Sequence, residues 1–167
     1  MAVMSTPRDL FLHELGDILY VEKKLAAEVL PKLIQEVQEQ KFRTGLERHL
    51  EQTRGHVTNV EQVFDELGER AHEEQCIGFE GLKREHDQLV EESSPELVDL
   101  VNAGAAARTE HYEIAAYSGL IEMARALGEQ NAVTLLDENL KDERATLREV
   151  ESITKTLRDE AKKAATA

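Results

Sequence analysis

The chain has 167 residues, 41% hydrophobic and 32% charged, which fits one domain (1–167) with a proper core. Its formal net charge of −14 argues against a nucleic-acid partner, whose backbone needs clustered Lys and Arg, and no apolar run is long enough to span a membrane. The single cysteine, Cys76, excludes an intrachain disulfide and a CxxC-type zinc or redox motif. The N-terminus has no basic region followed by an apolar run, so no signal peptide is visible and a soluble cytoplasmic protein is expected. Glycine (9) and proline (3) are scarce, which leaves few turns and favours long helices over strands.

The first predicted helix starts at Thr6 as N-cap, with Pro7 at the first helical position and Asp9 in the first turn. Its apolar period runs through Phe11, Leu15, Ile18, Leu25 and Val29, and Pro31 predicts a kink or an end to the regular helix. The boundary near 38–41 carries neither Gly nor Pro. The second helix has Leu46, Leu50, Val57, Val60, Phe64 and Leu67 on one face, and Gly68 as its stop. Ser94, Pro95 and Glu96 predict a third start with the cap chemistry of the first. Leu100, Ala103, Ala107, Ile114, Tyr117 and Ile121 follow, and Gly128 ends the helix. The fourth carries Leu136, Leu140, Leu147, Val150 and Leu157 before a tail, KKAATA, expected to fray.

These spans cover roughly 7–38, 41–67, 95–127 and 129–157, and helices of this size are about 40 to 50 Å long. Residues 69–94, with a short helix expected in FEGLKREHDQLVEE, can carry the chain back along one such length. Helices two and three then run parallel, and the short connections make the other sequential pairs antiparallel. One long crossover among short loops predicts an all-α, ferritin-like four-helix bundle.

Each apolar stripe is interrupted. The series 11, 15, 18, 22, 25, 29 is apolar except at Glu22, the series 100 to 121 breaks at Glu110, and the series 136 to 150 breaks at Glu143. Glu113 sits one turn beyond Glu110, and the second helix has Thr53 on its face with His49 and His56 flanking it. A lone glutamate in such a stripe usually reaches water or pairs with Lys or Arg. Here three helices break at one level, because Glu22, His56, Glu110 and Glu143 all lie within a turn of their helix midpoints. Carboxylates converging in an apolar core cannot all ionise without a compensating cation. No Lys or Arg occupies these stripe positions, so a pair of metal ions is expected, and an oxygen-rich set with imidazole suits iron or manganese better than zinc.

The segments DLFLHELGDILYVEKKL, HLEQTRGHVTNVEQVF, TEHYEIAAYSGLIEMARALG and LLDENLKDERATL together resemble the YciF/YciE-like family of ferritin-like stress proteins, over about residues 6–158. The resemblance implies a bundle with a carboxylate-bridged di-iron centre. It places ligands at Glu22, His56, Glu110, Glu113 and Glu143, with Thr146 where a histidine could stand. The second helix departs from the pattern: Thr53 replaces the acid three before His56, and Gln52 is a neutral amide. Water or His49 could complete that side. His111 faces away from the stripe and is expected to be a partly exposed or hydrogen-bonding histidine. Tyr117 is expected in the core with its hydroxyl partnered near the site, and Cys76 is expected to be an ordinary thiol.

The function these readings support is a stress-defence protein holding two iron ions (or manganese), with Fe(II) oxidation or reduction of oxygen or peroxide as the chemistry. The alternative is a non-enzymatic helical bundle in which metal is structural or absent. A homodimer is expected, because long helical pairs often leave an apolar edge to bury. An iron-storing cage is disfavoured by the lack of any cage-building extension.

Overall fold

The computed structural model describes residues 3–164. Helix α1 (Pro7–Lys24) opens as expected: Thr6 Oγ1 accepts the Asp9 N–H at 3.1 Å, and the Asp9 carboxylate accepts the Thr6 N–H at 2.9 Å. It continues through a π-helical turn (Leu25–Val29) into α2 (Leu30–Glu36). Pro31 accounts for the turn. Proline lacks the N–H that a helix needs, and its ring crowds the carbonyl four residues back. The wider turn, with the Leu30 N–H reaching Leu25 O, makes room for the ring. Regular α-geometry therefore lapses before Pro31 and resumes from Leu30, and the helix is not broken there.

Helix α3 (Gln40–Glu66) stops at Gly68, α4 (Ile77–Glu92) lies in the crossover, α5 (Val98–Leu127) stops at Gly128, and α6 spans Gln130–Ala164. Both stop glycines adopt positive φ, 73° and 81°, the left-handed conformation that closes a helix at little cost only for glycine. Two expectations change. Ser94 makes no side-chain cap; its carbonyl accepts the Leu97 N–H at 2.9 Å, and α5 is entered through a 3-10 turn (Pro95–Leu97). The last helix also runs past 157 to Ala164, so the first three residues of KKAATA are helical, and the rest of that tail lies outside the described residues.

Helix α1 packs on α3 and α5, and α6 packs on the same two, so α1 and α6 sit diagonally across a square. Pairings fix the directions. Arg8 meets Leu67 O while Glu22 meets His56, so α1 and α3 are antiparallel. Asn59 meets Asn139 while His49 meets Thr146, so α3 and α6 are antiparallel as well. In the crossover, Tyr20 bonds Glu80 and Lys32 bonds Asp87, so α4 runs alongside α1 and α2 in their direction. This returns the chain to the far end of the bundle before α5 begins, as expected of a single long crossover.

Where the crossover meets α1, the Glu74 N–H donates to Gly16 O at 3.0 Å. A Cβ on Gly16 would stand 3.2 Å from His72 O and 3.3 Å from Glu74 N, so a side chain there would push the crossover backbone outward by a few tenths of an ångström. One apolar half of the core is built from Phe11, Leu15, Phe64, Leu120 and Leu136, and the other from Leu33, Phe42, Leu46, Ala103 and Val150. A polar layer lies between them. Among the described residues no helix is long and apolar enough to cross a membrane.

The α2–α3 connection, where sequence shows no turn residue, is closed from a distance. The Asp99 carboxylate on α5 accepts the Gln38 N–H at 3.0 Å and the Glu39 N–H at 2.7 Å. Glu39 then caps α3 by accepting the Phe42 N–H. Asp99→Ala should therefore lower stability by about 1–2 kcal/mol, read from the urea midpoint, and speed hydrogen exchange at the amides of Gln38 and Glu39.

Candidate metal centre

The polar layer is assembled from single helix faces. On α3, His49, Thr53 and His56 are spaced by four and three residues, so one buried face carries all three. Glu110 and Glu113 stand one turn apart on α5, and α1 contributes Glu22. On α6, Asn139, Glu143 and Thr146 repeat the four-and-three spacing. All of these side chains are buried, and Glu22, Glu113 and Glu143 have no solvent exposure.

Two groups of donor atoms result. His49, Glu110, Glu113 and Glu143 form one and Glu22, His56 and Glu143 the other, each with its donor atoms within 4.8 Å of one another. Glu143 belongs to both. His49 Nε2 lies 3.2 Å from Glu110 Oε1 and 3.8 Å from Glu143 Oε2. His56 Nδ1 lies 2.9 Å from Glu143 Oε1 and 3.3 Å from Glu22 Oε1, without hydrogen-bond alignment to either. The two imidazole rings are 6.4 Å apart, so each serves its own group.

A second layer holds these groups in place. The Tyr117 hydroxyl donates to Glu22 Oε1 and accepts from Asn139 Nδ2 at 3.0 Å. Asn139 is in turn held by Asn59 Nδ2, which donates to its Oδ1 at 2.7 Å. Thr146 Oγ1 is 3.2 Å from His49 Nδ1, so the ring's other nitrogen, Nε2, is turned toward the carboxylates. Asp142, nearer the surface, sits 3.4 Å from His56 Nε2.

The electrostatics are those of charge in a dry interior. Both oxygens of Glu113 and both of Glu143 lack a hydrogen-bond partner, as does one oxygen each of Glu22 and Glu110. Burial raises Glu113 well above the usual carboxylate range, and the charges of Glu143, Glu22 and Glu110 raise it further. Burial also lifts Glu22, and it pushes Glu110 up to about 8 against the opposing pull of His49. For the histidines, burial acts downward but the carboxylates win. His49 rises to about 9 beside Glu110, and His56 to about 11 between Glu143 and Glu22. Burial acts upward most strongly on Glu143, but the His56 and His49 rings and the Glu110 carboxyl together outweigh it and hold this one acid low. Without a cation, the cluster keeps neutrality by retaining protons.

The donor set fits a metal pair. Four carboxylates balance the four positive charges of two divalent ions, with both histidines neutral, and the partnerless oxygens already face one another. Hard oxygen donors with two imidazoles match iron or manganese.

All five residues singled out in the sequence, Glu22, His56, Glu110, Glu113 and Glu143, converge here. Of the alternatives left open on the second helix, the structure brings His49 into the cluster as the sixth residue. Gln52 stays on the flank, and Thr53 is buried with no partner for its hydroxyl. His49 stands two turns before His56, a spacing visible in the sequence, but only the fold shows that its ring points inward. His111 is exposed and Tyr117 is core with a partnered hydroxyl, both as expected. Cys76 is buried, 2.8 Å from the Tyr112 hydroxyl. The buried His86 and Asn102 pair, 2.8 Å apart, was not legible in the sequence, because neither residue breaks a stripe.

The family model described as a domain of unknown function, DUF892, matches residues 6–164. Protein YciF of Escherichia coli (strain K12) is 35% identical over 145 residues, which is 86% of this chain and 87% of that protein. The crystal structure of the E. coli stress protein YciF superposes with a TM-score of 0.87 at 32% identity, covering 93% of this chain and 99% of that one. YcfI of Rhodopseudomonas palustris, described as a candidate structural protein, gives a TM-score of 0.85 at 34% identity, covering 88% and 94%. Fold, length and identity agree across these relatives, and the chain belongs to the DUF892 family as a YciF-like protein.

Proposed function

We propose that the chain binds two divalent iron or manganese ions between Glu22, His49, His56, Glu110, Glu113 and Glu143, and that this centre serves stress defence. The observation that carries the reading is Glu113. Its carboxylate has no solvent exposure, no hydrogen-bond partner on either oxygen, and three other carboxylates around it. A group so placed is costly unless a cation compensates it. The kinship with the E. coli stress protein supports the physiological setting.

Iron held by these residues would supply the capacity to give electrons to an oxidant such as dioxygen or peroxide. The protein's own part is positional. Glu143 reaches both groups and ties them together. Thr146 sets the ring of His49, and Tyr117 with Asn139 sets Glu22. Apolar walls on both sides exclude water and keep each donor where the fold puts it. A second reading, a non-enzymatic bundle in which metal is structural or absent, is favoured by the description of the R. palustris relative as a structural protein. Iron-loaded protein that turns over neither oxygen nor peroxide would select it.

Elemental analysis and anomalous scattering at the iron and manganese edges should find two ions per chain. Glu143→Ala should abolish uptake of both while the far-ultraviolet circular dichroism stays helical. Thr146→Val should weaken one of the two ions by about 10-fold or more, read by competition with a chelator, and leave the other almost unchanged.

The raised acids and histidines also fix a pH dependence. Glu110 moves from 4.5 to about 8 and His49 from 6.5 to about 9, so across this window the folded chain holds protons that the unfolded chain has released. Stability then falls as pH rises. The thermal midpoint of metal-free protein should drop between about pH 5 and pH 9, and saturating Mn(II) should remove the drop by taking the place of those protons. A midpoint that climbs across this range without metal would contradict the assignment.

A further inference from the structure

A cavity of about 50 Å³ abuts the His49 side of the cluster. Its walls are apolar, formed chiefly by Leu25, Leu30, Phe42, Leu46, Phe79 and Ala106. At the inner end it meets His49, Glu110 and Thr146. At the outer end it meets Lys83 and His86, which also line a surface cleft with Glu28, Lys32 and Asp87. The outer rim is held by polar contacts: His86 Nε2 lies 2.8 Å from Asn102 Oδ1, and Lys32 Nζ bonds Asp87 at 3.0 Å. The π-helical turn contributes to the same wall through Leu25 and Val29. Its extra residue, placed where Pro31 requires it, falls within one turn of Glu22 and beside this space.

Size and lining select an occupant. By this measure a water needs roughly 10–15 Å³, so the space admits a molecule of a few atoms. The lining is mainly apolar, with Thr109 and Glu149 as further polar members, and largely apolar cavities of this kind take up small apolar molecules. We propose that this cavity is an entry and docking site for dioxygen, opening from the cleft at Lys83 and His86 and ending at the His49 and Glu110 side of the candidate centre. The proposal rests on the metal-binding reading and narrows it. Hydrogen peroxide would have to shed its hydrogen bonds to water on the apolar wall, so the route favours dioxygen as the oxidant.

The test separates the cavity from the metal. Crystals of metal-free protein under xenon pressure should show xenon between Leu46, Ala106 and His49. Ala106→Leu should fill that space and expel the xenon. In Fe(II)-loaded protein the same variant should slow oxidation by dioxygen about tenfold, equivalent to roughly 1.4 kcal/mol of barrier, and change the rate with hydrogen peroxide less than about twofold. Ala106→Val, a smaller addition, should give a partial loss of both signals and serves if the leucine variant does not fold. The proposal is overturned if wild-type protein takes up no xenon there, or if dioxygen oxidation is unchanged in a variant that has lost the xenon. Failure of wild-type protein to take up iron would instead sink the metal centre and the delivery role with it, while the xenon site would remain.

Discussion

Desolvation of carboxylates constrains the rest of this molecule. Four glutamates from three helices share one level of a bundle whose other core positions are mostly apolar, and none of the four reaches water appreciably. In the absence of a cation their charge is met by protons and by two imidazolium rings, with Glu143 kept ionised between His56 and His49. That balance satisfies charge but leaves hydrogen-bonding capacity unused on Glu113 and Glu143. A layer of this kind weakens a core unless something offsets its desolvation, which is the physical ground for the proposed metal pair.

The scaffold is organised to bring the layer together and keep it dry. Two apolar half-cores lie above and below it, and α4 covers the flank along α1 and α2. The long crossover makes α3 and α5 parallel, which puts the pair of histidines on α3 at the same height as the pair of glutamates on α5. Pro31 contributes indirectly. The π turn that accommodates it widens the helix just beyond Glu22, and the space it borders is the apolar cavity beside His49.

The donor set also redistributes a familiar pattern. Thr53 and Thr146 stand where the wider ferritin-like arrangement has an acid and a histidine. His49 brings a second imidazole to the cluster from α3, and Thr146 is the group beside its ring that orients it. The acid missing at Thr53 is not restored. The two groups are thus unequal, three donors around His56 and four around His49, with Glu143 common to both.

Helix periodicity made much of this legible from the sequence. The caps at Thr6 and Gly128, the stop at Gly68, the four long helices and the crossover follow from local backbone preferences and a 3.6-residue apolar period. Glu22, Glu110 and Glu143 stood out because each interrupts such a stripe at mid-helix. Other features depend on groups distant in sequence and could not be read from spacing. Asp99 closes the 37–39 connection from 60 residues away. The orientation of the His49 ring is set by Thr146 on α6, 97 residues away. Sequence determined which faces are buried and which charges break them; tertiary packing decided which of those charges meet, because a side chain's partners across a bundle are set by the relative rotation and register of helices that no local pattern encodes.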